Sequence, residues 1–432
     1  MEDVSRTAAG SSSLYAPTHG VATPKGDPLT NTYTVLWDMS PSNLDEPFRG
    51  GLESVTPGGA STARVQRTEL TKREVRDLSR APEVAAVAPV MPTNLIAPVS
   101  NDEAGVEAAA EPAPGGVAWG IEAVGAVASQ RDGSGVVPAI LDTGIDASHP
   151  AFTGVTLDQV DFSGSGNGDR QGHGTHCAGT VFGRDVDGTR IGVARGVSHA
   201  LIGKVLGDDG SGDSDMLFRG IQWAAQSGAQ VISMSLGFDF PGLVQRLVQQ
   251  GFPVDLATSR ALEAYRANLR MFDTLMRLLA AQIDFAGGTV VAAASGNESK
   301  RKVNPDYEIG VSLPAAADGV LSVGALGRSP NGLVIAPFSN TFPQVAGPGV
   351  EVLSAKAGGG LVAFNGTSMA TPHAAGIATL WWQDVTASPL PSTSTTVTAR
   401  MLAACDLSQL APDVDVADRG MGLVQAPAQQ LP

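Results

Sequence analysis

The sequence predicts an α/β protein, a parallel central sheet with helices on both faces, preceded by a small α+β unit. Three observations carry this. From Val117 to about Gln425, short and nearly continuous apolar runs alternate with helix-period stretches, the pattern of strands covered on both faces. The 52 Gly and 28 Pro residues supply the turns between them. Hydrophobic residues make up 43% of the 432 but aromatics only 5%, so the core is built mainly from Ala, Val, Leu and Ile.

Taken in order, residues 1–30 are rich in Ser, Thr, Gly and Pro without periodicity and read as a disordered tail. Residues 31–98 form the α+β unit, with a strand at Thr32–Trp37, a short helix at Glu69–Leu78 and a strand at Val84–Val90. Residues 99–115, small, acidic and broken by Pro and Gly, read as a linker. The main domain, 116–425, has strands at Val136–Leu141, Ala200–Leu206, Val231–Leu236, Thr289–Ala294 and Val320–Ala325. Leu262, Tyr265, Leu269, Phe272, Met276, Leu279 and Ile283 recur three and four apart, which predicts a helix with a core-facing stripe. Residues 426–432 are a short tail.

Composition excludes several function classes. A net charge of −15 and the lack of any Lys/Arg run argue against a nucleic-acid surface or an anionic-membrane patch. No stretch reaches the ~18 apolar residues of a membrane span. Two cysteines exclude a disulfide scaffold. Met1–Pro17 has neither a basic nor an apolar segment of signal-peptide type, so the expected location is cytoplasmic.

Three segments supply what a hydrolytic serine requires: a base for its proton, a group that orients the base, and donors for the oxyanion. Ala139–Asp146 ends an apolar strand in Asp142-Thr143-Gly144. Gly172–Gly179 sets His173 between glycines at a helix start. Asn365–His373 places Ser368 on a Gly-initiated turn into a helix. Their order along the chain is Asp, His, Ser.

With these motifs the chain resembles the subtilisin-like serine proteases over about Val117 to Gln425. The resemblance implies that Asp142 orients His173, that His173 is general base and then general acid, and that Ser368 is the nucleophile. Ala294-Ser295-Gly296-Asn297-Glu298 is similar to the family's oxyanion segment, which gives Asn297 the role of side-chain donor. Leu206–Gly212, with Gly207, Gly210, Ser211 and Gly212, and the strand Ser235-Leu236-Gly237 look like the two strands that hold an extended peptide between them. Ser312 and Glu298 lie where family members shape the first specificity pocket, and Glu298 at its rim would favour a basic or polar residue. Phe238 to about Ala261 looks like an insertion beside the cleft. Residues 31–98 resemble the family's inhibitory propeptides, which implies an intramolecular inhibitor whose tail, about Thr93 to Glu111, lies against Ser368. No organic cofactor is implied. Calcium, common in the family as a structural ion, has a candidate in the acidic loop Asp208, Asp209, Asp213 and Asp215, although a solvated loop is the simpler reading.

Other readings compete. His173-x-x-His176-Cys177 has the look of a metal site but lacks a further ligand cluster. Asp142-Thr143-Gly144 is also an aspartic-protease signature, yet no second copy supplies the partner carboxylate. Cys177 reads as a small buried hydrophobe, His373 as packed, and a Cys177–Cys405 disulfide as disfavoured. A different class of reading keeps the fold without the chemistry, as a locked or inactive peptide-binding scaffold.

Overall fold

The computed structural model describes residues 32–39, 63–105, 115–281 and 287–428. The predicted tail at 1–30, most of the linker, Ile283 and the end of the 426–432 segment lie outside the described residues.

The central sheet runs in the order Gly332–Ile335, Val320–Ser329, Val290–Ala294, Val231–Met234, Pro138–Asp142, His199–Lys204, Thr156–Asp161, with Val345–Pro348 also paired to Val320–Ser329. Every pairing is parallel except that of Gly332–Ile335. In Pro138–Asp142, Val231–Met234 and Val290–Ala294 each residue is buried, which is why these strands read as unbroken apolar runs rather than alternating ones. Successive side chains serve opposite faces. Ile140 joins the core that holds Ala178 and Ala374, from the helices His173–Phe182 and Thr367–Thr386. Leu141 joins the core that holds Phe218 and Phe272, from Ser214–Gln226 and Val254–Ala280. Each fully buried Ile, Leu or Phe side chain contributes roughly 1.5–3 kcal/mol.

The N-terminal unit is a three-stranded antiparallel sheet, ordered Ala63–Glu69, Thr32–Asp38, Val84–Pro89. Here the sequence reading needs correction. The helix expected from Glu69 begins at Lys72, capped reciprocally by Thr71 and Glu74, because Ala63–Glu69 is a strand. Only Ala63 and Val65 are buried in it, too short an alternation to announce a strand. The linker also holds structure: Ser100 and Glu103 cap a helical turn at Asn101–Ala104.

The predicted strand Val231–Leu236 is two strands. Val231–Met234 stays in the sheet, whereas Leu236–Phe238 leaves it to pair elsewhere. The long helix spans Val254–Ala280 and buries Ala257, Ala261, Ala264, Asn268, Met271 and Leu275 besides Phe272, Met276 and Leu279. Leu262 is exposed and Tyr265 only half-buried, so the expected stripe is rotated at its N-terminal end. The stretch 238–261 contains a helix, Phe240–Gln249, whose Leu243 and Leu247 are buried; Phe240 meets Tyr265 edge-on at 6.0 Å.

Candidate active site

Asp142 ends a central strand, at the carboxyl edge where open α/β sheets bind ligands. His173 opens the next helix. Gly172 before it has φ 94°, a left-handed conformation that glycine adopts without strain. Gly174 sits so close to Gly144 that a Cβ would collide with the Gly144 carbonyl, which draws the helix start onto the Asp142 loop. His173 Nδ1 lies 2.9 Å from Asp142 Oδ1 and 3.1 Å from Oδ2, with both residues buried. That contact fixes the ring and leaves Nε2 buried without a hydrogen-bond partner.

Ser368 is the second residue of the helix Thr367–Thr386 and is buried. Its hydroxyl donates to the carbonyl of Ile96 at 2.8 Å. Asn297 follows the strand Val290–Ala294. Its Oδ1 accepts from the Thr367 N–H and hydroxyl, both at 2.9 Å, which sets the amide's orientation. Its Nδ2 donates to the carbonyl of Ala97 at 3.0 Å.

The cleft is filled by the chain itself. Pro92–Leu95 runs as a strand between Ser211–Asp213 and Leu236–Phe238, antiparallel to both. Leu95 N–H donates to Gly210 O at 2.8 Å. Asn94 pairs with Gly237 and Ser211, Leu95 with Leu236, and Thr93 with Gly212. Ile96 is buried and lies against Gly237, where an added Cβ would be in ordinary van der Waals contact with it.

Not every expected binding residue reaches this segment. Gly207 closes the turn ahead of the edge strand through bonds to Ser211 and Gly210. The Ser235 hydroxyl points to the Ser368 carbonyl, 3.2 Å away. Ser312 and Glu298 line a cavity of about 680 Å³ beside Ile96. The Glu298 carboxylate, however, accepts from Asn340 Nδ2 at 2.6 Å, so it does not stand free to select a basic residue. The cavity walls include Phe238, Phe240, Leu262, Tyr265, Ile309 and Val311. The two residues from the long helix were missed as site residues because a helical stripe by itself does not say whether core or cleft lies beneath it.

Other sequence readings meet definite outcomes. His176 Nε2 bonds to Val352 O at 3.0 Å and its ring stacks on Phe364; it does not share a ligand position with His173. Burial pushes its pKa down to about 3, and that of His373 down to about 4, so both rings are neutral. Cys177 and Cys405 are free thiols, and Cys177 Sγ lies 3.7 Å from His173 Nδ1. The acidic loop does not converge on a cation. Asp208 takes Lys204 and Arg170, Asp209 takes Ser211, Asp213 takes Arg67, and the buried Asp215 takes Arg219 and Thr34. That donor set, spent on cations and hydroxyls, does not fit a calcium shell. Asp213 and Asp215 depart from the solvated-loop reading because they face the N-terminal unit, whereas Asp209 is exposed.

His173 is the group from which a pH dependence is expected. Burial disfavours the imidazolium, but the Asp142 charge, with Cys177 and the hydrogen bonds to both, outweighs it and raises the pKa well above 6.5. A protonated ring cannot accept the nucleophile's proton, so activity is expected to rise with pH through this elevated value. An unperturbed imidazole would place the midpoint at ~6.5. A kcat/KM profile on a small chromogenic peptide, with its acid limb above pH ~6.5, is the expected result, and a limb at or below that value would contradict it.

A serine at a helix start with its hydroxyl on the carbonyl of a bound peptide strand, and an Asp-paired histidine at the carboxyl edge of a parallel sheet, define a serine endopeptidase, whose substrates are peptides. The chain belongs to the subtilase family, whose model matches residues 133–418. Among its relatives are "Intracellular serine protease" of Paenibacillus polymyxa, 34% identical over 257 residues, covering 58% of this chain and 68% of the relative, and "Subtilisin DY" of Bacillus licheniformis, 35% identical over 250 residues, 57% and 77%. "Thermostable alkaline protease" of Halalkalibacterium halodurans is 30% identical over 374 residues, covering 82% of this chain and 86% of the relative. That span is longer than residues 99–432 can hold, so it reaches into the N-terminal unit. No helix among the described residues is long and apolar enough to cross a membrane.

Proposed function

We propose that the chain is a self-processing zymogen in which residues 31–98 inhibit the main domain, 116–425, and the Ile96–Ala97 bond is the one first cut. The observation that carries this reading is the Ser368 hydroxyl at 2.8 Å from the Ile96 carbonyl, with the residues before it held as a strand in the cleft. In this reading Asp142, His173, Ser368 and Asn297 are the catalytic residues, and Gly210, Ser211, Gly212, Leu236 and Gly237 hold the substrate backbone.

The steps follow from these positions. Ser368 Oγ attacks the Ile96 carbonyl carbon while His173 Nε2 takes its proton. The Ile96 oxygen becomes an oxyanion, stabilised by the Ser368 N–H and by Asn297 Nδ2. In the ground state Asn297 donates to Ala97 O, so its bond has to transfer to Ile96 O as charge develops. The C–N bond then breaks. His173 gives its proton to the Ala97 nitrogen, and water releases residues 1–96 from Ser368 by the same route reversed.

The N-terminal unit is placed to deliver this tail. Gln222 donates to Ala63 O at 2.8 Å and accepts from Val65 N–H at 2.9 Å, meeting the free edge of the sheet as another strand would. Arg67 pairs with Asp213 at 2.6 Å, and Asn268 donates to Pro89 O at 2.9 Å. Tyr33, Val87 and Val90 share a cavity with Leu243 and Leu247, so the 238–261 stretch both braces the long helix and borders the inhibitor. Past the bond, Asn365 exchanges hydrogen bonds with Val99 and reaches Asn101, which keeps the far side of the tail in place.

The expected result is that purified wild-type protein acquires a new N-terminus at Ala97, while Ser368→Ala protein stays whole. N-terminal sequencing or intact mass checks this. Wild type that remains full length yet fully active would remove the inhibitor role. The locked-scaffold reading would show instead as a chain that stays whole and, after removal of residues 1–115, fails to label with a fluorophosphonate.

A further inference from the structure

The first residue after the strand Leu236–Phe238 is Asp239, and nothing in the catalytic chemistry uses it. Its Oδ2 accepts from Asn94 Nδ2 at 3.0 Å. Its Oδ1 accepts from Gly242 N–H at 2.8 Å and so caps the helix Phe240–Gln249. Its backbone N–H donates to Pro92 O, which continues the pairing that holds the tail. Asn94 lies three residues before the Ile96–Ala97 bond when Ile96 is counted as the first. In a strand its side chain projects to the face opposite Leu95. Helix capping fixes the carboxylate from behind, so the free oxygen meets that position already oriented.

We propose that Asp239 is a specificity-determining residue that selects a neutral hydrogen-bond donor, Asn or Gln, at the third position before the scissile bond. This rests on the reading of Pro92–Ala97 as a substrate-like segment. A carboxylate accepts only, so Asp or Glu at that position places two anions together. Arg246 Nη2 stands 3.9 Å from Asp239 Oδ2 and offsets the negative charge, which favours an amide over a full cation. The site is open to solvent on one side, so the discrimination is modest, about tenfold.

The test uses the full-length chain carrying Ser368→Ala, in which the tail stays uncut. Hydrogen exchange of the Leu95 amide reports the grip directly, since that amide donates to Gly210 O. Asn94→Asp is expected to speed this exchange about tenfold. Adding Asp239→Asn is expected to restore protection, because the exchanged pair again sets one amide donor against one carboxylate, and Asn caps helices as well as Asp. In the chain with Ser368 intact, wild-type enzyme is expected to cleave Thr-Asn-Leu-Ile-Ala peptides about tenfold better in kcat/KM than Thr-Asp-Leu-Ile-Ala. A protected Leu95 indifferent to Asn94→Asp, or a double variant without rescue, overturns the assignment of Asp239 alone. A Leu95 amide unprotected in the Ser368→Ala parent overturns the occupied-cleft reading and this inference with it.

Discussion

Replacing Ser368 by Ala is expected to lower peptide hydrolysis by about 10⁶ in kcat and to leave the fold intact. The side chain is buried at a helix start, where Ala is well tolerated, and its one side-chain bond goes to the tail carbonyl of Ile96. His173→Ala is expected to reach a similar floor, because a nucleophile without its base and a base without its nucleophile fail alike. The double variant should therefore be little worse than either single one. Steady-state kinetics with a small peptide, together with a thermal melt, checks both parts. Near-wild-type turnover in Ser368→Ala would sink the assignment.

Asn297→Ala is expected to cut kcat by about 10²–10³ with little change in KM, since the lost hydrogen bond strengthens only as the carbonyl oxygen becomes charged. The structure adds a complication that the motif did not contain. Asn297 Oδ1 also anchors the Thr367 N–H and hydroxyl at the start of the nucleophile's helix, a cap-like contact worth about 1 kcal/mol. Asn297→Asp separates the two effects. It keeps the acceptor for Thr367 and removes the donor, so it is expected to be at least as slow as Asn297→Ala. Recovery of turnover in Asn297→Asp would show that anchoring, not oxyanion stabilisation, is what Asn297 contributes.

The three motifs of the proposed triad were legible because each part is local. A carboxylate closing an apolar strand, a histidine after a left-handed glycine, and a serine one residue into a helix are short-range patterns. The geometry that brings Asp142 within 2.9 Å of His173 follows from the close approach of Gly144 and Gly174. The parallel sheet was legible too, since strands buried on both faces have no choice but to be apolar throughout. Ala63–Glu69 was not legible, because a strand with two buried residues and charged neighbours is defined by its partner Thr32–Asp38 rather than by its own alternation. The long helix was legible as a helix, but not in what it faces, because periodicity gives an angle around an axis and no identity to the neighbour. Leu262 and Tyr265 therefore went to the core in the sequence and to the cleft in the structure.

By itself, then, the sequence determined the fold class, the three motifs of the proposed triad and their order, and the presence of a small unit ahead of them. Only the tertiary structure decided that Ile96, rather than another residue of a small-residue tail, meets Ser368. It alone decided that Asp215 is buried under that unit, that Glu298 is spent on Asn340, and that Asp239 reaches Asn94. These contacts join residues tens to hundreds of positions apart. Strand pairing and ion pairing at such separations carry no local signature, because the same side chains satisfy many registers equally until the rest of the core fixes one.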